Sequence, residues 1–393
     1  MTWTETRLKH LCVDAGQYGL NISANDYAST GHRLIRTSDI DETGRLRPRE
    51  GAVFVDATLD ARHELRAGDL LLSRSGTIGR AMLLGQLEEP STYAGYLVRF
   101  RPLPTTEPRF LAYVAASRGF QAAIEADAVT STIQNFNAER YANIQVRAPL
   151  LDDQRRIADI LDAETARIDG LRTKRLAQMS VLDELELARI GEHLATAEST
   201  GPVYAYFDVQ LGKMLNGERA SGGSQQPYLR NANVHWYEID TQDMATMTFE
   251  PGEKRRYGVR GGDLLVCEGG AGVAEAAVWD GRIPACFYQK SLHRVRARRS
   301  VPVEWLMYWL RYSKAIGVFD ADGNIATIPH LTGEQLTEYK IPIPEAGQRR
   351  VAQLNAEIAA IRETQRKMEA ANAVLAERRQ ALITAAVTGG ITV

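Results

Sequence analysis

The stretch "QRRIADILDAETARIDGL" at 154–171 returns as "QRRVAQLNAEIAAIRETQ" at 348–365, an offset of 194 residues (348 − 154 = 194). One echo could be chance, but others fall at the same distance. "LRAGDLLLSRSG" (65–76) is answered by "VRGGDLLVCEGG" (259–270), and "LIRTSDI" (34–40) by "YLRNANV" (228–234). "TIQNFNAERYANIQV" (132–146) is answered by "TIPHLTGEQLTEYKI" (327–341), one residue further on. Four residues part Pro149 from Gln154 and three part Pro344 from Gln348, which restores the first offset. A tandem duplication therefore covers almost the whole chain, and two copies of one unit predict a pseudo-two-fold architecture.

Each copy divides at the same point. Residues 1–150 and 198–344 alternate short apolar runs with Gly, Pro and Asp turns, as strand-rich domains do. "DLLLSRSGTIGRAMLL" (69–84) and "DLLVCEGGAGVAEAAVW" (263–279) each read as a hairpin across a glycine-containing loop. "EPRFLAYVAASRGFQAAIEA" (107–126) and "VEWLMYWLRYSKAIGVF" (303–319) have helical spacing, so both domains are mixed α and β. The segments 151–197 and 345–393 differ in kind. Residues 154–196 hold no Pro and two Gly, and 348–388 hold neither. Leu354, Ile361, Met368, Leu375 and Leu382 recur every seventh residue, and Ile157, Leu171 and Leu185 form a row beside Leu161, Ile168 and Leu182. Sustained heptads predict two long helices that pair as an antiparallel coiled coil, since neither can bury its stripe alone. The expected class is α+β: two mixed domains separated by paired helices.

Composition sets further bounds. The 393 residues carry a formal charge of −2, with 44% hydrophobic and 24% charged residues, as ordinary globular domains do. No apolar run approaches the length of a membrane span, and the first residues hold no apolar leader. Cys12, Cys267 and Cys286 are odd in number and far apart, which speaks against a disulfide framework or zinc site and for a cytoplasmic address. Catalytic signatures are missing: "GKMLNGER" (212–219) and "GGAGVAE" (269–275) fail as phosphate or dinucleotide loops. Asp69 and Asp263 occupy matching Gly-Asp turns. They could form a catalytic pair across the repeat, although an Asp there more often closes a turn.

The order of these segments, doubled, resembles the specificity subunit of type I restriction–modification systems over essentially the full length. The residues that carry the resemblance are "GDLLLSRSGTIG" (68–79), "GDLLVCEGG" (262–270), the two Gln-Arg-Arg helix openings and the ending "RRQALITAAVTGGITV" (378–393). The first helix departs from the pattern, because "ELELARIGEHLATAEST" (184–200) lacks that ending. The resemblance implies target-recognition domains at 1–150 and 198–344 and conserved helical regions at 151–197 and 345–393. It implies a non-catalytic reader of a bipartite double-stranded DNA target that holds two methyltransferase subunits and restriction/translocase subunits. S-adenosylmethionine, ATP and Mg would then belong to the partners. The alternative is a free-standing coiled-coil protein that binds DNA or another partner without modification subunits.

The duplication also sorts the DNA-binding candidates. Matched identical residues, such as Arg36 with Arg230 and Arg66 with Arg260, suit shared structural or phosphate roles. Matched residues that differ suit base reading. At the 194 offset Arg74, Ser75, Thr77 and Arg80 face Glu268, Gly269, Ala271 and Ala274. Arg can bridge guanine O6 and N7, and Glu can accept from cytosine N4, unless these are solvated turn residues. Gln134 and Asn135 against Pro329 and His330 form a second variable pair, suited to adenine edges or to capping. Lys254, Arg255 and Arg256 in "KRRYGVR" (254–260) and the run "KSLHRVRARR" (290–299) are the expected phosphate contacts of domain two. The apolar heptad residues near the chain end are expected to dock modification subunits, so that removing everything after Arg378 would leave domain one folded.

Overall fold

The structure is a computed structural model that describes residues 2–41, 43–56, 58–130, 135–214, 223–270, 272–321 and 330–391, with the side chains of 127–130 and 320–321 left aside. It divides into two compact units, Met1–Arg175 with Glu369–Val393, and Leu176–Met368.

The duplication is visible in the sheets. In the first unit a four-stranded sheet runs in the order Gln17–Tyr18, Leu97–Phe100, Leu70–Ser73, Ala81–Leu83. In the second the order is Phe207–Leu211, Leu292–Ala297, Leu264–Cys267, Ala276–Val278. The central hairpin is antiparallel in both, with Leu71 opposite Met82 and Leu265 opposite Ala277. Every residue of Leu70–Ser73 and Leu264–Cys267 is buried, which explains their unbroken apolar runs. The expected helix at 107–126 is two helices, Pro108–Ala116 and Arg118–Thr130. Ser117 separates them: its Oγ donates to the Val114 carbonyl at 2.7 Å and accepts from the Phe120 amide at 3.4 Å.

Two long helices, Leu151–Ala195 and Gly347–Thr388, stand where proline is absent. Asp152 and Asp153 sit in the first turn of the first helix, where carboxylates oppose the positive end of the helix dipole. The second helix ends at Gly389, whose φ of 80° is the left-handed conformation that closes helices. In the second unit the helices run antiparallel: Gln365 donates to Asp183 at 2.7 Å, and further along His193 meets Glu357 at 3.5 Å. In the first unit Arg379 pairs with Asp169 at 3.2 Å.

Both helices also belong to the domain cores. In the first unit Ile157, Ala158 and Leu161 from the first helix and Ile383, Ala386 and Val387 from the second pack with Phe100, Phe110 and Tyr141. In the second, Ile190 and Leu194 join Val351, Leu354, Ile358 and Ile361 around Trp305 and Trp309. Two expectations change as a result. Removing everything after Arg378 would strip Ile383, Ala386 and Val387 from the core of domain one, so it cannot leave that domain intact. The row Ile157–Leu171–Leu185 is not the buried one, since Leu171 is 44% and Leu185 39% exposed. A straight α-helix drifts about 20° per heptad, which carries those two outward and leaves Ile157, Leu161 and Ile168 inside. Leu182 packs partly against the core of the second unit and Leu382 against that of the first. Met368 and Leu375 are half-buried. The inward position beyond Leu182 is the buried Glu186, which accepts from Tyr237 Oη at 2.9 Å and Arg311 Nε at 3.0 Å.

Truncating the fully buried Leu354 removes core contacts, whereas Leu171 has few to lose. Leu354→Ala should lower the unfolding free energy of the second unit by about 2–5 kcal/mol. Leu171→Ala should change stability by no more than about 0.5 kcal/mol. Denaturant unfolding followed by tryptophan fluorescence and circular dichroism would compare the two.

Candidate nucleic-acid interface

The hairpin that carries the variable loop starts at a buried carboxylate in each domain. Asp69 is 1% and Asp263 2% exposed. Asp69 accepts two hydrogen bonds from Arg101, at 2.7 and 2.8 Å, and one from the Arg66 amide at 2.8 Å. Asp263 accepts the equivalent set from Arg296, at 2.6 and 2.7 Å, and from the Arg260 amide at 2.9 Å. A buried carboxylate keeps its charge only when paired in this way. These aspartates are therefore turn-closing structural groups rather than a catalytic pair.

The hydrogen bonds that follow repeat from one domain to the other. The Arg74 amide donates to the Tyr96 carbonyl and the Glu268 amide to Ser291, both at 2.9 Å. The Arg74 carbonyl accepts from the Phe136 amide at 3.0 Å and the Glu268 carbonyl from Leu331 at 2.6 Å. Arg74 and Glu268 therefore occupy the same place, as the 194 offset predicts. After them the second loop is one residue longer. The Ser73 amide donates to the Arg80 carbonyl, and the matching Cys267 amide donates to Glu275, so Arg80 corresponds to Glu275 and not to Ala274. On the other side of the sheet Tyr18 lies opposite Val98 and Leu211 opposite His293, where Val98 and His293 both face the central strand at matched positions. This makes Leu211 the counterpart of Tyr18, at an offset of 193 (211 − 18 = 193).

Arg74 lies in a cleft of about 530 Å³ lined by Tyr18, Tyr27, Arg36, Tyr96 and Asn135 among others. Its guanidinium stands 4.6 Å from the Tyr18 ring centre. Nε donates to Asn135 Oδ1 at 3.0 Å and Nη1 to the Gly95 carbonyl at 3.4 Å. Ser75 is half-buried and Thr77 exposed beside it. Arg80 points elsewhere, donating to the Ile40 carbonyl at 3.1 Å and to Thr77 Oγ1 at 3.4 Å. Gln134, Ala271 and Pro329 lie outside the described residues. In domain two Glu268 is half-buried, and His330 is exposed and bridges to Gly269. Of the residues singled out in the sequence, the structure brings Arg74 and Asn135 together in domain one and sets Glu268 and His330 at the matched places in domain two. The sequence did not point to Tyr18, where the repeat changes register on the edge strand, or to Tyr96, whose match to Ser291 is shifted by the longer second loop.

The two basic stretches part company. Lys254, Arg255 and Arg256 are exposed on the helix Pro251–Tyr257. In "KSLHRVRARR" three arginines are already engaged. Arg294, 3% exposed, donates to the carbonyls of Arg256 and Gly258 at 2.9 and 2.8 Å and so caps the end of that helix. Arg296 holds Asp263, and Arg298 pairs with Asp208 at 2.9 Å. The fold therefore takes up Arg294 and Arg296, while Arg298 stays exposed in a surface pair. Arg36 and Arg230 are likewise bound, to Asp39 and Asp243, both at 2.8 Å. Cys12, Cys267 and Cys286 are buried, and burial pushes each thiol up to about 12. They are unsuited to nucleophilic work.

Residues 60–179 match the family described as the type I restriction modification DNA specificity domain. Over that stretch the chain is similar to a type I DNA specificity domain. Its fold agrees over nearly the whole length. The chain is similar to a solved structure from a study of complex assembly and conformational transition of the type I R-M system. The TM-score is 0.75 at 19% identity, over 98% of this chain and 97% of that one. It is also similar to the HsdS subunit from Thermoanaerobacter tengcongensis, with a TM-score of 0.52 at 19% identity over 99% and 97% of the two chains. No curated protein matches the sequence. The two-domain, two-helix architecture expected from the repeat is the fold of these solved structures.

A specificity domain must separate residues that hold phosphate from those that hold the fold. Lys254→Ala with Arg255→Ala should leave the melting temperature unchanged and weaken binding to all duplexes alike. It should also make the salt dependence shallower by about 1 per lost phosphate contact. Arg294→Ala should instead destabilise the second unit by about 3 kcal/mol or more, since it strips a buried charge-assisted network. Salt titration of binding beside thermal unfolding would distinguish them.

Proposed function

We propose that the chain is the specificity subunit of a type I restriction–modification complex. In this reading it recognises a bipartite DNA target, one half by each domain, and performs no catalysis itself. The observation that carries it is the repeated frame: matched hydrogen bonds place Arg74 and Glu268 alike while their chemistry is opposite. One scaffold that presents different side chains twice suits a target with two unlike halves. S-adenosylmethionine, ATP and Mg would be bound by two methyltransferase subunits and by restriction/translocase subunits. Among the described residues no helix is long and apolar enough to cross a membrane.

The helices offer a docking face away from the chain end. In the second unit Val181 and Leu185 stand exposed on successive turns of the first helix. Such side chains on an otherwise charged helix suit burial against a partner helix. Val181→Asp with Leu185→Asp should abolish co-purification of the modification subunits at an unchanged melting temperature. Unchanged complex formation would place their docking elsewhere.

The bipartite reading is tested by exchange. A replacement must carry Met1–Arg175 and Glu369–Val393 together, because both build the first core. Transplanted from another specificity subunit, this unit should change one half of the motif enriched from random duplexes and leave the other. Enrichment of no motif, by either chain, would favour a coiled-coil interaction protein that does not read DNA.

A further inference from the structure

The two domains share a backbone frame, and around Arg74 they differ at a run of neighbouring places. Tyr18, Arg74, Gly95, Tyr96 and Asn135 correspond to Leu211, Glu268, Lys290, Ser291 and His330. The correspondences rest on the ladder register and on paired hydrogen bonds, such as Gly95 to the Leu20 carbonyl at 2.7 Å and Lys290 to Lys213 at 2.9 Å. The flanking clasps, Asp69–Arg101 and Asp263–Arg296, are unchanged. A shared backbone frame that presents different side chains at the same cleft position is what a specificity site requires.

The chemistry of the cleft narrows what it reads. Tyr18 is fixed, because its hydroxyl accepts from the Ala138 amide at 3.0 Å. Arg74 Cζ lies over its ring, 4.6 Å from the centre, and Asn135 takes up Nε. Nη2 and one hydrogen of Nη1 are left without a partner among the described residues. They form a planar pair of donors in a fixed orientation. In the major groove guanine alone presents two acceptors, O6 and N7, that match it. In domain two the same place holds a group that only accepts. The Glu268 carboxylate has no hydrogen-bond donor among the described residues, and Leu211 offers no aromatic platform for an arginine.

We infer that Tyr18, Arg74 and Asn135 form a preset guanine reader in domain one, and that Glu268 at the matched place in domain two takes the N4 amino group of a cytosine. The inference rests on the DNA-reading function proposed above and adds the residues and bases. Tyr18 and Asn135 are positioning residues: they freeze the arginine before DNA arrives, so that its ordering costs little on binding. Arg74 and Glu268 touch the bases.

The test is selection from a random duplex pool with the full chain, followed by competition binding at single substituted positions. The wild-type chain should enrich a two-part motif with a guanine in one half and a cytosine in the other. Arg74→Lys keeps the charge but loses the fork, and should cut the guanine preference at one position on the order of tenfold to a hundredfold. The other half should stay intact. Tyr18→Leu should reduce the same preference at that position alone, by about tenfold or less. Arg74→Glu combined with Tyr18→Leu and Asn135→His should move that position towards cytosine, and Glu268→Gln should relax only the other half. An unchanged Arg74→Lys motif, or equal weakening on all sequences, overturns the assignment while the proposed function stands. A wild-type chain that enriches no motif overturns both.

Discussion

Each domain depends on one buried ion pair. Asp69 with Arg101, and Asp263 with Arg296, tie the start of the central hairpin strand to its neighbour. Each carboxylate also receives the amide of the residue three places earlier, which shapes the Gly-Asp turn. An uncompensated carboxylate at this depth would cost several kcal/mol, so the strand register on that side has little freedom. The clasp therefore decides where the hairpin loop emerges, and so where Arg74 and Glu268 stand. Exchanging those side chains leaves the frame in place, because the clasp lies at the opposite end of the strand.

The long helices are integral to the two cores. Their buried residues lie where each helix meets a domain: Ile157 and Leu161, Ile190 and Leu194, Leu354 and Ile358, Ile383 and Val387. Between those places charged residues and isolated exposed apolar ones take over. The first domain is completed by the last turns of the chain, with Arg147 donating to the Thr388 carbonyl at 3.1 Å and Gln380 to Ala116 at 2.7 Å. Such a domain cannot be cut out at residue 150 without exposing its core. A unit that can be exchanged must take both chain ends.

The sequence makes the architecture legible because a repeat records it twice: the Gln-Arg-Arg helix openings, the Gly-Asp hairpins and the proline-free segments all stand where the duplication puts them. Roles within the pattern were less legible. Arg294 and Lys254 look alike in a basic run, yet one is buried against backbone carbonyls and the other is exposed, and only the strand register decides which. Leu171 obeys the heptad and still faces outward, because a seven-residue spacing drifts around a straight helix. Even the Gln-Arg-Arg echo conceals a difference. Gln154 is buried, accepting from the Glu107 amide and donating to the Pro149 carbonyl, both at 2.9 Å, whereas Gln348 is exposed. Tyr18 and Leu211 correspond through hydrogen bonds that no residue count anticipates, so the platform under Arg74 came from the fold.

The central claim is that one frame, used twice, reads two unlike half-sites. Hydroxyl-radical footprinting of the full chain on a duplex enriched by selection tests it most directly. The account predicts two protected patches with unlike sequences separated by an unprotected spacer. Substitutions at Arg74 should disturb one patch and substitutions at Glu268 the other. A single continuous footprint, or one patch that responds to both residues, would contradict it.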